Sequence, residues 1–275
     1  MKLLVTDIDE TLSRGESPSP EVERACERLR NSGWSLMVAT GRILATSLSH
    51  IRGIGSSLPA IVYNGGRVMD PETREALMET ALDPAIAAEA VEAAWNSPAE
   101  LQIVGDERAF CRSSDLMTKN FFEASGVPVD ASMKSPAAPQ RVYRVIFYGP
   151  PRVITDLGDD LSARFSGRAE VVQAGDRFLD VLPPGVSKGA ALASWIETLD
   201  RKPSLVVAAG DHHNDLELLA SAHIAAAPED AAEEVLKTAR VIMPPADRHG
   251  FSAFADWLLE WEKAPRKISS PVVLS

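Results

Sequence analysis

The sequence predicts an α/β protein whose parallel-sheet core is interrupted by a smaller α+β domain. Three observations carry that expectation. Apolar strand-like runs alternate with helical patterns from the first residues onward, and the same alternation returns after Lys188. Between these halves the order of elements changes. The change is bracketed by proline-marked junctions, Asp83-Pro84 and Pro183-Pro184-Gly185. Strands alternating with helices imply βαβ units and a parallel sheet covered on both faces.

In order, residues 2–6 read as a strand and 20–31 as an amphipathic helix ending at Gly33. Residues 34–39 read as a second strand, 43–54 as a helix and 60–63 as a third core strand. In the insertion, a helix is expected at 84–95, strands at 100–104 and 109–112, and a helix near 115–124. A strand at 141–148, a helix at 152–165 and strands at 169–173 and 178–182 follow. The core resumes with a helix at 188–199, a buried strand at 205–209 and a helix at 216–222. Short strands at 224–227 and 241–243 and a closing helix at 251–262 complete it. The tail, 264–275, is expected to be loosely ordered. The domains so defined are 1–82 with 184–275, and 83–183.

A chain of 275 residues can build such a core with room for a second unit. Apolar residues make up 45% and charged residues 24%, as in ordinary globular proteins. The formal net charge of −11 argues against nucleic acid or an anionic membrane as the main partner. Cys26 and Cys111 have neither disulfide-framework nor zinc-site spacing, which points to a reducing compartment. The apolar run after Lys2 is too short for a signal peptide, and no stretch is long enough to span a membrane. The expectation is a cytoplasmic protein with no obligate protein partner.

In open α/β sheets, ligands gather at the carboxyl ends of the strands. The first strand runs into Asp7-Ile8-Asp9-Glu10-Thr11, the second into Thr40-Gly41-Arg42, the third into Asn64-Gly65-Gly66 and the fourth into Gly210-Asp211-His212-His213-Asn214-Asp215. Lys188 opens a helix after Pro-Pro-Gly-Val-Ser. In an extended segment Asp7 and Asp9 face the same side, where their charges repel unless a cation lies between them. A cluster of carboxylates suits Mg²⁺ over zinc. Beside such an ion, Asp7 can attack a phosphoryl group, and Asp9 can protonate the leaving alcohol and then deprotonate water. Thr40 and the first amides of the helix at Ile43 are candidates for phosphate oxygens, and Lys188 for developing charge. Asp211 completes the metal site, and Asn214 and Asp215 orient Lys188 or the metal's waters. Asn64 is a turn or a substrate contact, and Arg42 a surface or a phosphate contact. His212 and His213 read as exposed loop histidines.

The motifs D-I-D-E-T-L, A-T-G-R, Y-N-G-G, G-V-S-K-G and G-D-H-H-N-D, in this order, resemble the haloacid dehalogenase (HAD) superfamily and its Cof-like sugar-phosphatase branch. R-V-Y-R-V-I-F and F-L-D-V-L-P-P-G-V-S-K-G are similar to that branch's cap. The resemblance implies a Rossmann-like parallel core, the HAD fold, with an inserted α+β cap. It also implies a Mg²⁺-dependent phosphatase acting on a small phosphorylated metabolite, a sugar phosphate, through an aspartyl-phosphate. Asp7, Asp9, Thr40 and Lys188 would be catalytic. Asp7, Asp9, Asp211 and Asp215 would form the metal set, with Asp9 contributing its backbone carbonyl. Thr40, Gly41, Arg42, Asn64, Lys188 and Asn214 would meet substrate, with Lys119, Asn120, Asp176 and Arg177 as cap candidates. Glu10 departs from the family's usual Gly, and Leu218-Leu219 from its Met-Leu pair. A phosphomutase and a non-catalytic sugar-phosphate sensor are the alternatives. The former needs a second basic pocket not visible in the cap, and the latter fits poorly with an intact Asp7, Asp9 and Lys188.

Overall fold

The computed structural model describes every residue except 96, 125, 126, 137, 138, 140, 266 and 275. The chain divides into two compact units, Met1–Met78 with Ser187–Ser275, and Glu79–Val186.

The first unit begins with β1 (Lys2–Thr6), whose last four residues are buried. Helix α1 (Pro20–Asn31) follows, with its start and end written in the sequence. The Ser19 side chain accepts from the Val22 amide, and Pro20 occupies the first turn. Glu21 and Glu23 lie at the positive end of the helix, Arg28 and Arg30 at the negative end. Its buried residues, Val22, Ala25, Cys26 and Leu29, recur at helical spacing. Then come β2 (Trp34–Val38), α2 (Leu44–Gly53), β3 (Ala60–Val62), β4 (Arg67–Met69) and β5 (Ala76–Glu79).

The second unit contains α3 (Pro84–Trp95), β6 (Glu100–Val104), β7 (Ala109–Arg112), α4 (Leu116–Ala124), β8 (Val129–Met133), β9 (Arg144–Tyr148), α5 (Pro151–Arg164), β10 (Glu170–Ala174) and β11 (Phe178–Leu182). Its strands form one mostly antiparallel sheet in the order β10-β11-β9-β6-β7-β8. Ile86, Ala90 and Val91 of α3 pack with Leu101, Ile103, Val145, Phe147 and Leu179 in a core of its own.

The chain then returns to the first unit with α6 (Lys188–Glu197), β12 (Leu205–Ala209), α7 (Leu216–Ser221), β13 (Ile224–Pro228), α8 (Glu233–Thr238), β14 (Val241–Met243), α9 (Gly250–Lys263) and β15 (Val272–Val273). Six parallel strands form its main sheet in the order β15-β14-β13-β12-β1-β2. Leu3, Val5 and Met37 of the central strands share a buried cluster with Leu192, Trp195, Leu218 and Leu219 of α6 and α7.

Three expectations are corrected. β3 is not a full member of the parallel sheet. It belongs to a separate three-stranded sheet with β4 and β5, linked to the end of β2 by a single bridge, Ala39 to Ile61. Asn64-Gly65-Gly66 is the turn joining β3 to β4, so the antiparallel hairpin draws β3 away. The described tail is also not loose throughout. Val272 and Leu274 donate to the carbonyls of Arg240 and Ile242, adding β15 to the sheet edge. Finally, β4, β5, β8 and α8 are additional elements. The first of these is three residues long, too short for a periodicity to register.

Candidate active site

The chain runs from β1 outward to β2, and after the insertion β12 pairs with the opposite edge of β1. Adjacent strands whose connections leave in opposite directions open a crevice at their carboxyl ends. The register sharpens this: Thr6 faces both Val38 and Ala209. The Asp7 amide donates to the Ala209 carbonyl at 3.0 Å, and the Ala39 amide to that of Thr6 at 2.9 Å. The loops after β1, β2 and β12 therefore start level with one another.

Into this edge α6 delivers Lys188. Ser187 caps the helix by accepting from the Ala190 amide at 3.0 Å. The Lys188 side chain is fully buried. Its ammonium donates to Asp7 Oδ1 at 2.8 Å and to Asp215 Oδ1 at 2.7 Å. Burial by itself lowers a lysine pKa, but the two carboxylates outweigh it and hold the ammonium above its usual range. Asp215 is fully buried too, and its other oxygen accepts from the amides of Asp211 (3.0 Å) and His212 (3.2 Å). It thus braces both the lysine and the loop carrying Asp211. That fold-back needs Gly210, where a Cβ would lie 2.5 Å from the Cβ of Asp215. Gly210→Ala is expected to lower the turnover of the folded variant by about 10²-fold, the scale of a 1 Å misplacement. Steady-state rates beside a thermal melt check this.

Oxygens of Asp7, Asp211 and Asp215 lie within 4.8 Å of one another. A six-coordinate Mg²⁺ with ligands at about 2.1 Å spaces its oxygens about 3–4.2 Å apart, and a cluster of this spread is compatible with a bound cation. Asp215 has both oxygens committed. Asp7 and Asp211 each keep an oxygen with no donor among the described residues, since their bonds are to Lys188 and to the Thr11 hydroxyl (2.8 Å). The Asp9 carbonyl also accepts no hydrogen bond there. Asp7 and Asp211 are thus the side chains best placed to hold a cation. The donors are all hard oxygens, the set Mg²⁺ takes.

Burial pushes Asp7 up to about 7 despite Lys188, and burial together with Asp7 and Asp215 pushes Asp211 up to about 8. Both folded values lie above those of the unfolded chain. The stability they contribute is therefore present at low pH and is lost as pH rises through about 7 and 8. A cation bound at the cluster would replace those protons. Thermal melts in chelator are expected to fall between about pH 6 and pH 8, with Mg²⁺ restoring more at the higher pH, because protons then compete less for the two carboxylates. An equal Mg²⁺ effect at both values would separate the cluster from metal binding.

Asp9 lies near enough for its charge to raise the Asp7 pKa, and its carboxylate has a cation of its own. The strand ends at Thr6, and in the following turn the Leu12 and Ser13 amides both donate to the Ile8 carbonyl. The Asp9 carboxylate pairs with Arg42, through Nε at 2.9 Å and Nη2 at 2.5 Å. Burial lowers the Arg42 pKa, but the hydrogen bond and charge of Asp9 raise it overall.

The remaining candidates take varied places. Thr40 is fully buried, and its hydroxyl oxygen accepts from the Arg42 amide at 3.2 Å. Gly41 lies between it and α2, whose first turn carries no side-chain cap. Asn64, with a left-handed φ of 56°, accepts from the Asn214 side-chain amide at 3.0 Å, and its own amide donates to the Thr40 carbonyl at 3.1 Å. Those two asparagines join A-T-G-R, Y-N-G-G and G-D-H-H-N-D. Gly65 is required beside them, because a Cβ there would lie 2.2 Å from the Ser187 carbonyl oxygen. His213 pairs with Glu234 at 3.2 Å on the exposed side of its loop. Glu10, also at positive φ, pairs with Arg14, which further bridges Asp230 and Asp247.

Sequence reasoning left two roles unassigned, the Thr11 brace on Asp211 and the Arg42 fork on Asp9. A hydroxyl four residues after a nucleophile is a weak signal, and a pair 33 residues apart leaves none. In the second unit, Asn120 and Asp176 are exposed, and Arg177 lies over the Tyr148 ring at 5.5 Å.

Residues 4–254 match the family described as haloacid dehalogenase-like hydrolases. An HMP-PP phosphatase of Cronobacter sakazakii is 27% identical over 217 residues, 78% of this chain and 79% of its own. A phosphoglycolate phosphatase of Methanopyrus kandleri is 29% identical over 266 residues, 94% and 97% of the two chains. Among solved structures, a haloacid dehalogenase-like hydrolase from Bacteroides thetaiotaomicron has a TM-score of 0.81 at 21% identity, covering 94% and 99%. A HAD subclass IIB sugar phosphatase has a TM-score of 0.79 at 21% identity, with the same coverage. At such identity these two likenesses speak for the fold.

Proposed function

The chain belongs to the haloacid dehalogenase-like hydrolases, and from that premise we infer that it is a phosphoric monoester hydrolase acting on small phosphorylated substrates. The finer reading is a Mg²⁺-dependent phosphatase that works through an aspartyl-phosphate on Asp7. One observation carries it. A fully buried lysine is held between Asp7 and Asp215, beside Asp211, at the switch point of a parallel sheet.

Asp7, on this reading, uses its carboxylate to attack phosphorus. The ester P–O bond breaks, and the leaving oxygen takes the bonding pair and a proton from Asp9. Asp9, now a carboxylate, takes a proton from the water that attacks the phosphoryl group, and Asp7 is released. Lys188 keeps positive charge on Asp7 throughout, and the Thr40 hydroxyl is available to a phosphoryl oxygen. A Mg²⁺ held by Asp7, Asp211 and the Asp9 carbonyl would supply further positive charge against the phosphoryl oxygens. The core residues address phosphate and cation only, so the choice of substrate is assigned to the inserted unit, with Asn120, Asp176 and Arg177 as contributors.

Phosphate release from p-nitrophenyl phosphate, and then from a panel spanning hexose phosphates, phosphoglycolate and HMP-PP, tests this. Turnover is expected to vanish in excess chelator and to return with Mg²⁺. Full turnover in chelator would overturn the metal-dependent mechanism. Substitutions at Asn120, Asp176 or Arg177 are expected to reorder the panel. An unchanged ranking in all three would return specificity to the core.

A further inference from the structure

The Asp9 side chain is 54% exposed, and at an exposed position an aspartate samples several rotamers. Here both of its oxygens are gripped in a fork by Nε and Nη2 of Arg42. Arg42 is itself pinned. Its third nitrogen, Nη1, donates to the Thr46 carbonyl at 3.1 Å in the first turn of α2. Its backbone amide donates to the Thr40 hydroxyl at 3.2 Å, and its carbonyl accepts from the Tyr63 amide at 3.0 Å. All three guanidinium nitrogens take part, Nε and Nη2 on Asp9 and Nη1 on α2, so the fork is anchored at the helix and aimed at the carboxylate. Planar two-point pairing fixes direction as well as distance, which a lysine could not do.

We propose that Arg42 is a positioning residue for the leaving-group step, aiming the Asp9 carboxyl at the ester oxygen, and is not a phosphate ligand. The proposal rests on the phosphatase reading above. In that step the P–O bond breaks, its electron pair goes to the leaving oxygen, and the proton comes from Asp9. Arg42 exchanges nothing. Its value therefore depends on how much the leaving group needs a proton. A phosphate ligand would matter equally for every ester.

The test is a series of aryl phosphates with one phosphate group and increasingly basic leaving groups: 2,4-dinitrophenyl, p-nitrophenyl and phenyl phosphate. For Arg42→Ala, kcat/KM on the dinitrophenyl ester is expected to stay within about threefold, while phenyl phosphate loses about 10²-fold, the lower range of general-acid effects. Inhibition by inorganic phosphate should be unchanged. Arg42→Lys should recover part of the phenyl phosphate loss. In an Asp9→Asn background, Arg42→Ala should cost nothing further on phenyl phosphate.

A parallel loss across the series with weaker phosphate inhibition would make Arg42 a phosphate ligand and overturn the proposal. A parallel loss with unchanged inhibition would reduce it to a structural residue and overturn the proposal equally. If Arg42→Ala does not fold, Arg42→Gln and Arg42→Lys carry the comparison. A wild-type protein inactive on all three esters, with Mg²⁺ present, would instead remove the phosphatase reading and this proposal with it.

Discussion

Asp7→Asn is expected to abolish turnover, by about 10⁴-fold or more, while leaving the protein folded. The amide matches the carboxylate in shape, so the hydrogen bond from the Asp7 backbone to Ala209 is undisturbed. It lacks the nucleophilic charge that the attack on phosphorus requires. Its effect on stability should run the other way. In the absence of a cation, Asp7 is a buried carboxyl whose charged form is disfavoured by burial, by Asp215 and by Asp9, enough to move it to about 7. A neutral amide removes that cost and leaves Lys188 paired with Asp215, so thermal unfolding in chelator should occur at the same or a higher temperature than in the parent. Rate loss with retained stability separates loss of chemistry from loss of fold. The companion variant, Asp9→Asn, should still accumulate phosphoenzyme from an aryl phosphate with a good leaving group, detectable by mass spectrometry. Near-normal turnover by Asp7→Asn would end the covalent mechanism.

Lys188→Ala should damage both activity and stability, because the same ammonium serves both. Turnover is expected to fall by roughly 10²–10³-fold, the usual size for losing one preorganised charge-stabilising donor. Removing it also leaves Asp7 and Asp215 facing each other in a buried site, and breaking a buried ion pair from one side costs about 3–5 kcal/mol. Urea unfolding in chelator would measure this second effect, and added Mg²⁺ should recover part of it by supplying positive charge to Asp7. A raised KM with unchanged kcat would show that Lys188 binds substrate and transition state equally. Unchanged stability would mean that the buried pair with Asp215 is worth little to the fold.

Much of this site was legible in the sequence because its motifs are local. Each begins where a strand ends or a helix starts, and those boundaries depend on patterns within a few residues. Pro20 with Ser19 starts α1, and Ser187 caps α6 and so brings Lys188 to the sheet edge. Five such punctuations in order also carried the resemblance to the family. What the sequence could not carry is pairing between distant segments. A three-residue strand such as β4 has no signature of its own and exists because β3 lies against it. In the same way β15 is made by the edge of β14, not by its own short apolar run.

By itself, then, the sequence determined the alternation of elements, the insertion, and the gathering of Asp7, Thr40, Lys188 and Asp211 at the strand ends. Hydrophobic period and helix capping act within a turn or two of chain, so these are readable residue by residue. Only the tertiary structure decided which carboxylate each cation meets. Lys188 takes Asp7, 181 residues away, and Asp215, 27 residues away, while Arg42 takes Asp9, 33 residues away. Of the two roles the sequence left open to Asp215, it also decided for bracing the lysine, and it added the brace on the Asp211 loop through the second oxygen. Coulomb attraction and desolvation depend on distance through space and on burial, and neither is set until the sheet has closed around β1.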